Sequence, residues 1–234
     1  MQHFTSQGRK EFETPHALTI AEISQILKDY GQAAKNAIEA GFDGVELHAA
    51  NGYLPNQFLA ESSNQRTDEY GGNIENRSRF VLEVMQELIN TIGGEKVGIK
   101  ISPLHPYAVI VFDNPVATYT YLINELNKLD MPFIELMKRV PAFPLLPHYP
   151  KDDEIELFGK LSTHTVIANS AYTKERAEAE LQKDIAKLIS FGTLFVANPD
   201  LPKRFAQDAE LNTPDEATMF GGGEKGYTDY PVLS

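Results

Sequence analysis

His48, Asn51 and Tyr53 stand directly after the short apolar run that ends at Leu47. A histidine and an asparagine three residues apart can both donate hydrogen bonds to a single carbonyl or nitro oxygen, which polarises an electron-poor double bond. A tyrosine two residues further on carries a phenol with an ordinary pKa of about 10, protonated at neutral pH and able to deliver a proton. The same trio also fits a structural histidine followed by two loop residues, and spacing alone does not choose between them. Lys100 sits among Val97, Ile99 and Ile101, so its ammonium must find a polar setting. An anionic cofactor ring would supply one, and snorkelling to solvent would supply another.

Two short turns are candidates for anion binding. Asn169-Ser170-Ala171 leads into a helix at Thr173, and turn N–H groups with a positive helix end can hold a phosphate. Gly192-Thr193 follows the next apolar run and could add a second set. Small residues are also simply good turn formers, so each signal is weak by itself. Asp152, Asp153 and Glu154 open a helical stretch and complement its dipole. Glu46 lies inside its strand and Lys100 stands alone, so neither offers the paired base or Schiff-base lysine that an aldolase or isomerase needs. His105, His148 and His164 lack the spacing of a metal site, and no metal is expected.

The elements that must position these residues alternate regularly. From Ile20 to Ile38 apolar residues recur at helical spacing, with Thr19 and Glu22 in the form of a capping box and Gly41 as the stop. Asp43–His48 reads as a buried strand. Helix Ile74–Ile92 then precedes strand Lys96–Ile101, and helix Pro115–Leu129 precedes strand Pro132–Leu136. A helix over Glu154–Leu161, strand His164–Ala168, helix Thr173–Gln182, strand Lys187–Phe191 and a short helix near Pro199 complete the pattern. Such alternation means parallel strands with right-handed crossovers, and function at the strands' C-terminal ends. A closed barrel of this kind needs about eight strands, and an open sheet manages with about five, so the pattern alone favours neither. No Gly-rich dinucleotide fingerprint follows any strand. The tail from Leu211, with Gly221, Gly222 and Gly223, reads as a loop-rich extension of one domain spanning 1–234.

Composition narrows the partners. The net charge of −12 repels nucleic acid and anionic membrane alike. The absence of cysteine excludes disulfides, thiolate metal sites and cysteine nucleophiles. No apolar run reaches the ~20 residues that cross a bilayer. Met1 to Phe12 is polar and mixed in charge, unlike a secretory signal, so a cytoplasmic setting is expected.

Four strings give the chain a resemblance to the old yellow enzyme family of FMN-dependent ene-reductases. They are GFDGVELHAANGYLPNQFL (Gly41 to Leu59), NQRTDEYGGNIENRSRF (Asn64 to Phe80), ANPDLPKRF (Ala197 to Phe205) and GYTDYP (Gly226 to Pro231). The resemblance runs from Pro15 to the C-terminus. It implies that His48 and Asn51 bind the activating oxygen of an alkene substrate, that Tyr53 is the proton donor, and that Tyr227 lies near the ligand face. It implies hydride from reduced FMN, with NADPH or NADH re-reducing the flavin. Lys100 falls where the family usually has an arginine beside the flavin N1–O2 edge, keeping the charge without the guanidinium fork. Asn169, Ser170, Ala171, Gly192 and Thr193 fall at the phosphate turns.

The sequence departs from the family at three places. Thr193 replaces a phosphate-binding arginine after Gly192, Ser170 replaces a usual glycine, and about three strands that precede the Thr19 helix in the family barrel are lacking. The expectation is therefore a partial TIM-type (β/α)8 barrel, about strands four to eight, with exposed edges open to self-association. The competing expectation is a truncated, inactive homologue that does not hold FMN stably.

Overall fold

Two reciprocal bonds set the helix start at Thr19. Thr19 Oγ1 accepts the Glu22 N–H at 3.2 Å, and the Glu22 carboxylate accepts the Thr19 N–H at 2.7 Å. Two amide groups that a helix start leaves open are thereby satisfied. Helix α1 runs Ile20–Glu39, and Gly41 beyond its end carries φ 94°, a conformation glycine takes without strain. The computed structural model describes residues 2–5, 8–11, 14–107, 110–140, 142–219 and 223–233. Met1 and Phe12 of the N-terminal segment, and Gly221 and Gly222 of the tail, lie outside the described residues.

The strands and helices follow the expected alternation with shifts of one to three residues at their ends. Strand β3 is Val45–Ala49, helix α3 Ile74–Ile92, strand β4 Val97–Ile101, helix α4 Pro115–Leu126, and strand β5 Phe133–Met137. Strand β6 is Thr165–Asn169, helix α5 Lys174–Leu181, and strand β7 Ala186–Ser190. Two short helices, α6 (Thr193–Ala197) and α7 (Leu201–Ala206), replace the one expected near Pro199. Helix α4 stops at Leu126 rather than Leu129. There the Asn127 side chain leaves the helix direction, donating to Leu161 O at 2.8 Å and accepting the Thr163 N–H at 3.0 Å. The helix expected over Glu154–Leu161 is a single wide turn, Ile155–Gly159.

Two elements carry no periodic signal in the sequence. One is an antiparallel hairpin of β1 (Gln2–Thr5) and β2 (Gly8–Glu11), with Gln2 opposite Glu11. The other is α2, Leu54–Leu59, with Pro55 in its first turn. Six residues are too few to show a helical period.

The main sheet is ordered β3-β4-β5-β6-β7, and β3 through β6 pair in parallel. Alternate side chains along a strand point to opposite faces. One face carries Leu47, Ala49, Val97, Ile99, Ile101, Ile134, Leu136, Val166 and Ala168, all buried in the core. The other face carries Glu46, His48, Lys100, Glu135 and Asn169, and this polar face is where the candidate residues gather. Its packing depends on Gly98. A Cβ there would lie 2.2 Å from the Phe133 ring, so only a residue without a side chain lets that ring cross β4.

The chain forms two compact units. The larger takes residues 17–170 and 179–189, with the sheet and α1 to α4. Its core is anchored by Phe58 stacked on Phe80, with ring centroids 4.2 Å apart, and by the fully buried Tyr119. The smaller takes residues 1–16, 171–178 and 190–234. There the buried Arg204 bonds Asp200 at 2.7 Å and the carbonyls of Glu210 and Pro231, which ties the tail to α7. No helix among the described residues is long and apolar enough to cross a membrane.

Replacing Gly98 by alanine should overpack this layer and cost about 1–3 kcal/mol. Urea denaturation of Gly98→Ala measures it, and an unchanged midpoint would contradict the packing described.

Candidate active site

Two successive left-handed residues shape the loop after β3. Asn51 has φ 54° and Gly52 φ 76°. The Asn51 N–H donates to Ser102 Oγ at 3.0 Å, which fastens the loop to the end of β4. The Gly52 N–H donates to Asn56 Oδ1 at 2.9 Å, and Asn56 Nδ2 donates to the Tyr119 hydroxyl at 3.0 Å in the core. Burial pushes the Tyr119 phenol far above its ordinary range, so it stays protonated and available to Asn56. Asn56 and Ser102 thus position the loop, and neither has a role that residue spacing alone discloses. Asn56 belongs to a helix too short to read, and Ser102 looks like any polar residue at a strand end.

The loop brings the His48 and Tyr53 rings together, tilted at 45° with centroids 4.6 Å apart. Tyr53 is 59% exposed, and its backbone begins α2. Desolvation, reinforced by the Lys100 charge and opposed by Glu135, lowers the His48 pKa below 6.5. At neutral pH His48 is therefore a neutral imidazole with one N–H to donate. The Asn51 Oδ1 is buried with no hydrogen-bond partner among the described residues. A cleft of about 370 Å³ runs along the outer edge of β3, lined by Tyr30, Glu46, His48, Tyr53, Leu54 and Leu88 among others.

Lys100 neither stands alone nor snorkels. Its ammonium lies 2.6 Å from Glu135 Oε1 and 3.2 Å from Asn169 Oδ1. Register explains the encounter, because Lys100 is opposite Glu135 on β5 and one layer from Asn169 on β6. Glu46, which as a strand-interior residue reads as inert, shares this face and feels the Glu135 charge from β3. Partial burial first, and the Glu135 charge second, push the Glu46 pKa up to about 7, against the lowering effect of Lys100. Sequence spacing missed this cluster because its members lie on four different strands.

At the turn after β6, Ser170 has φ 119° and Ala171 φ 44°. Ser170 thus holds a backbone conformation suited to glycine, the residue usual there in the family it resembles. Asp153, expected to serve a helix dipole, accepts the N–H groups of Ile155 and Glu156 and pairs with Lys138 at 2.5 Å. In the smaller unit, the Gly192 carbonyl accepts the Phe195 and Val196 N–H groups, and a Cβ added at Gly192 would meet nothing within 4 Å. Thr193 begins α6 there. The Tyr227 hydroxyl donates to Met219 O at 2.6 Å, leaving the ring 45% exposed.

Two measurements check these assignments. Ser170→Gly relieves a left-handed serine, and the gain should exceed the entropic cost of glycine by about 0.5–1 kcal/mol. A lower melting temperature would contradict the strain. For Glu46 the folded pKa, about 7, lies above the ordinary 4.5. The folded state then binds the extra proton, so stability falls as pH rises through that window and stays lower above it. Glu46→Gln should escape this loss, gaining about 1 kcal/mol on the parent between roughly pH 5 and 8 once solvent screening is allowed for. Parallel pH profiles for the two chains would contradict it.

The chain resembles known proteins along nearly all its length. Residues 2–212 match the NADH:flavin oxidoreductase / NADH oxidase family. It is 43% identical to a protein named putative 12-oxophytodienoate reductase 5 of Oryza sativa subsp. japonica, over 95% of this chain and 60% of that one. It is 42% identical to a probable flavin mononucleotide-dependent alkene reductase of Leishmania infantum, over 98% and 62% respectively. Among solved structures, an old yellow enzyme homologue from Zymomonas mobilis superposes with TM-score 0.92 at 36% identity, covering 100% of this chain and 65% of that one. A morphinone reductase in complex with tetrahydroNAD gives TM-score 0.89 at 42% identity, covering 100% and 63%. The chain therefore spans about three-fifths of the length of the curated relatives it matches. The likeness identifies the five parallel strands as part of a TIM-type (β/α)8 barrel. With its loop of His48, Asn51 and Tyr53 and these likenesses taken together, the chain belongs to the NADH:flavin oxidoreductase / NADH oxidase family, that of the old yellow enzyme.

Proposed function

We propose that the protein reduces activated carbon–carbon double bonds, in α,β-unsaturated carbonyl or nitro compounds, using bound FMN recharged by NADPH or NADH. The observation that carries this reading is the His48–Tyr53 pair, a neutral N–H donor 4.6 Å, ring to ring, from an exposed phenol. One group can polarise the substrate oxygen while the other delivers a proton. Asn51 adds the two N–H donors of its amide for the same oxygen.

Two features of the chain fit a flavin. Lys100 uses two of its three donors on Glu135 and Asn169, which leaves one for a ring oxygen or nitrogen. Gly192 leaves open space over its backbone, where a close ligand could lie. Lys100 and Asn169 are accordingly assigned to the ring edge. Ser170 and Ala171 on one turn, and Gly192 and Thr193 on another, are each assigned to the phosphate. Tyr227 is assigned to the substrate on the family likeness alone. A reduced flavin, when bound, would supply the hydride. His48 and Asn51 orient the alkene by its oxygen, and Tyr53 places the proton on the carbon beside the activating group.

The purified chain should be yellow, with flavin absorption near one equivalent. Tyr53→Phe should slow alkene reduction by about 10²–10⁴-fold while leaving reduction of the flavin by NADPH nearly intact. Stopped-flow absorbance separates the two steps, and loss of both together would remove Tyr53 from the proton-donor role.

A further inference from the structure

The string Asn64 to Phe80, one of the four that give the chain its resemblance, closes over the far end of helix α2. That helix has six residues, too few to hold themselves helical in water. The Gln57 N–H donates to the Tyr53 carbonyl at 3.0 Å, so the proton donor is the helix's own starting residue. At the other end, three of the carbonyls that a helix leaves open are each taken by a side chain. Ser63 Oγ donates to Gln57 O at 2.7 Å, Asn64 Nδ2 to Phe58 O at 2.6 Å, and Arg77 Nε to Leu59 O at 2.9 Å. Arg77 does the most. It stands in the first turn of α3 with its side chain only 5% exposed. Its guanidinium also donates to the Gly72 carbonyl and, at 2.5 Å, to the Glu61 carboxylate. A rigid fork of five donors can fix a helix end, a turn and a carboxylate at once, and a lysine cannot.

We propose, resting on the proton-donor reading of Tyr53 above, that Arg77 is a positioning residue for Tyr53 and acts on it through α2. Tyr53 is 59% exposed, so the place of its phenol follows from the backbone beneath it. Asn56 ties the near end of α2 to the core, and Arg77 holds the far end by Leu59 O. Six helical residues span only about 9 Å, so a tilt at one end is felt at the other. A misplacement of about 1 Å at a reacting group can cost ~10²-fold in rate. Arg77 thus sets where the proton is delivered from, without touching the substrate.

Two measurements on the full chain test it. The first is hydrogen exchange, with Arg77→Lys keeping the charge but not the fork. In that variant the N–H groups of residues 57–59 should exchange about tenfold faster or more, while those of Val97–Ile101 stay protected. Exchange in α2 equal to that of the parent overturns the proposal. Should the variant not fold, the parent decides. Its buried Arg77 Nε–H should exchange far more slowly than that of free arginine, and fast exchange there is equally fatal. The second is a double-mutant cycle read by stopped-flow absorbance. Arg77→Lys should slow alkene reduction about tenfold, leave reduction of the flavin by NADPH nearly intact, and cost nothing further in the Tyr53→Phe background. A general loosening of the fold would instead slow both steps, or slow alkene reduction equally in both backgrounds. Either result overturns the proposal. If the chain holds no flavin, or Tyr53→Phe reduces the alkene as fast as the parent, the proton-donor reading falls first and takes the proposal with it, whatever the exchange data show.

Discussion

Parallel register is the constraint on which the rest depends. Once β3, β4 and β5 pair with Val45 opposite Val97 and Ile99 opposite Ile134, every side chain on them is committed to one face. The apolar members go to the helices and form the core. The polar members, Glu46, His48, Lys100 and Glu135, are left together with nowhere else to point. A slip of one residue in any strand would bury these charges and expose the core, so the stability of the sheet and the composition of the site are one fact.

The loop after β3 extends that logic from strand to reagent. Its left-handed turn at Asn51 and Gly52 would be mobile if held only by its own backbone. It is held by Ser102 from the next strand, and by Asn56, which relays it to a tyrosine hydroxyl in the deepest part of the core. The exposed Tyr53 therefore stands on a buried support.

Much of this was legible in the sequence because the signals were local. The capping box at Thr19, the long period of Ile74–Ile92 and the trio His48, Asn51 and Tyr53 each lie within one stretch of chain. What was not legible was relational. Glu135 looks like a strand acid until register puts it beside Lys100, and Glu46 looks inert until the shared face exposes it to the Glu135 charge. The hairpin of β1 and β2 gives no apolar alternation, and α2 is too short for a period to appear. Ser170 shows the limit from the other side. The family likeness marked it as a departure, but only the backbone angle shows that the serine holds a conformation suited to glycine.

The Phe133 ring lying over Gly98 has a consequence for how this protein can change over time. The two positions share one volume, so neither can drift alone. A side chain gained at one must be matched by a smaller ring or none at the other, and the order of events matters, since the shrinking step must come first.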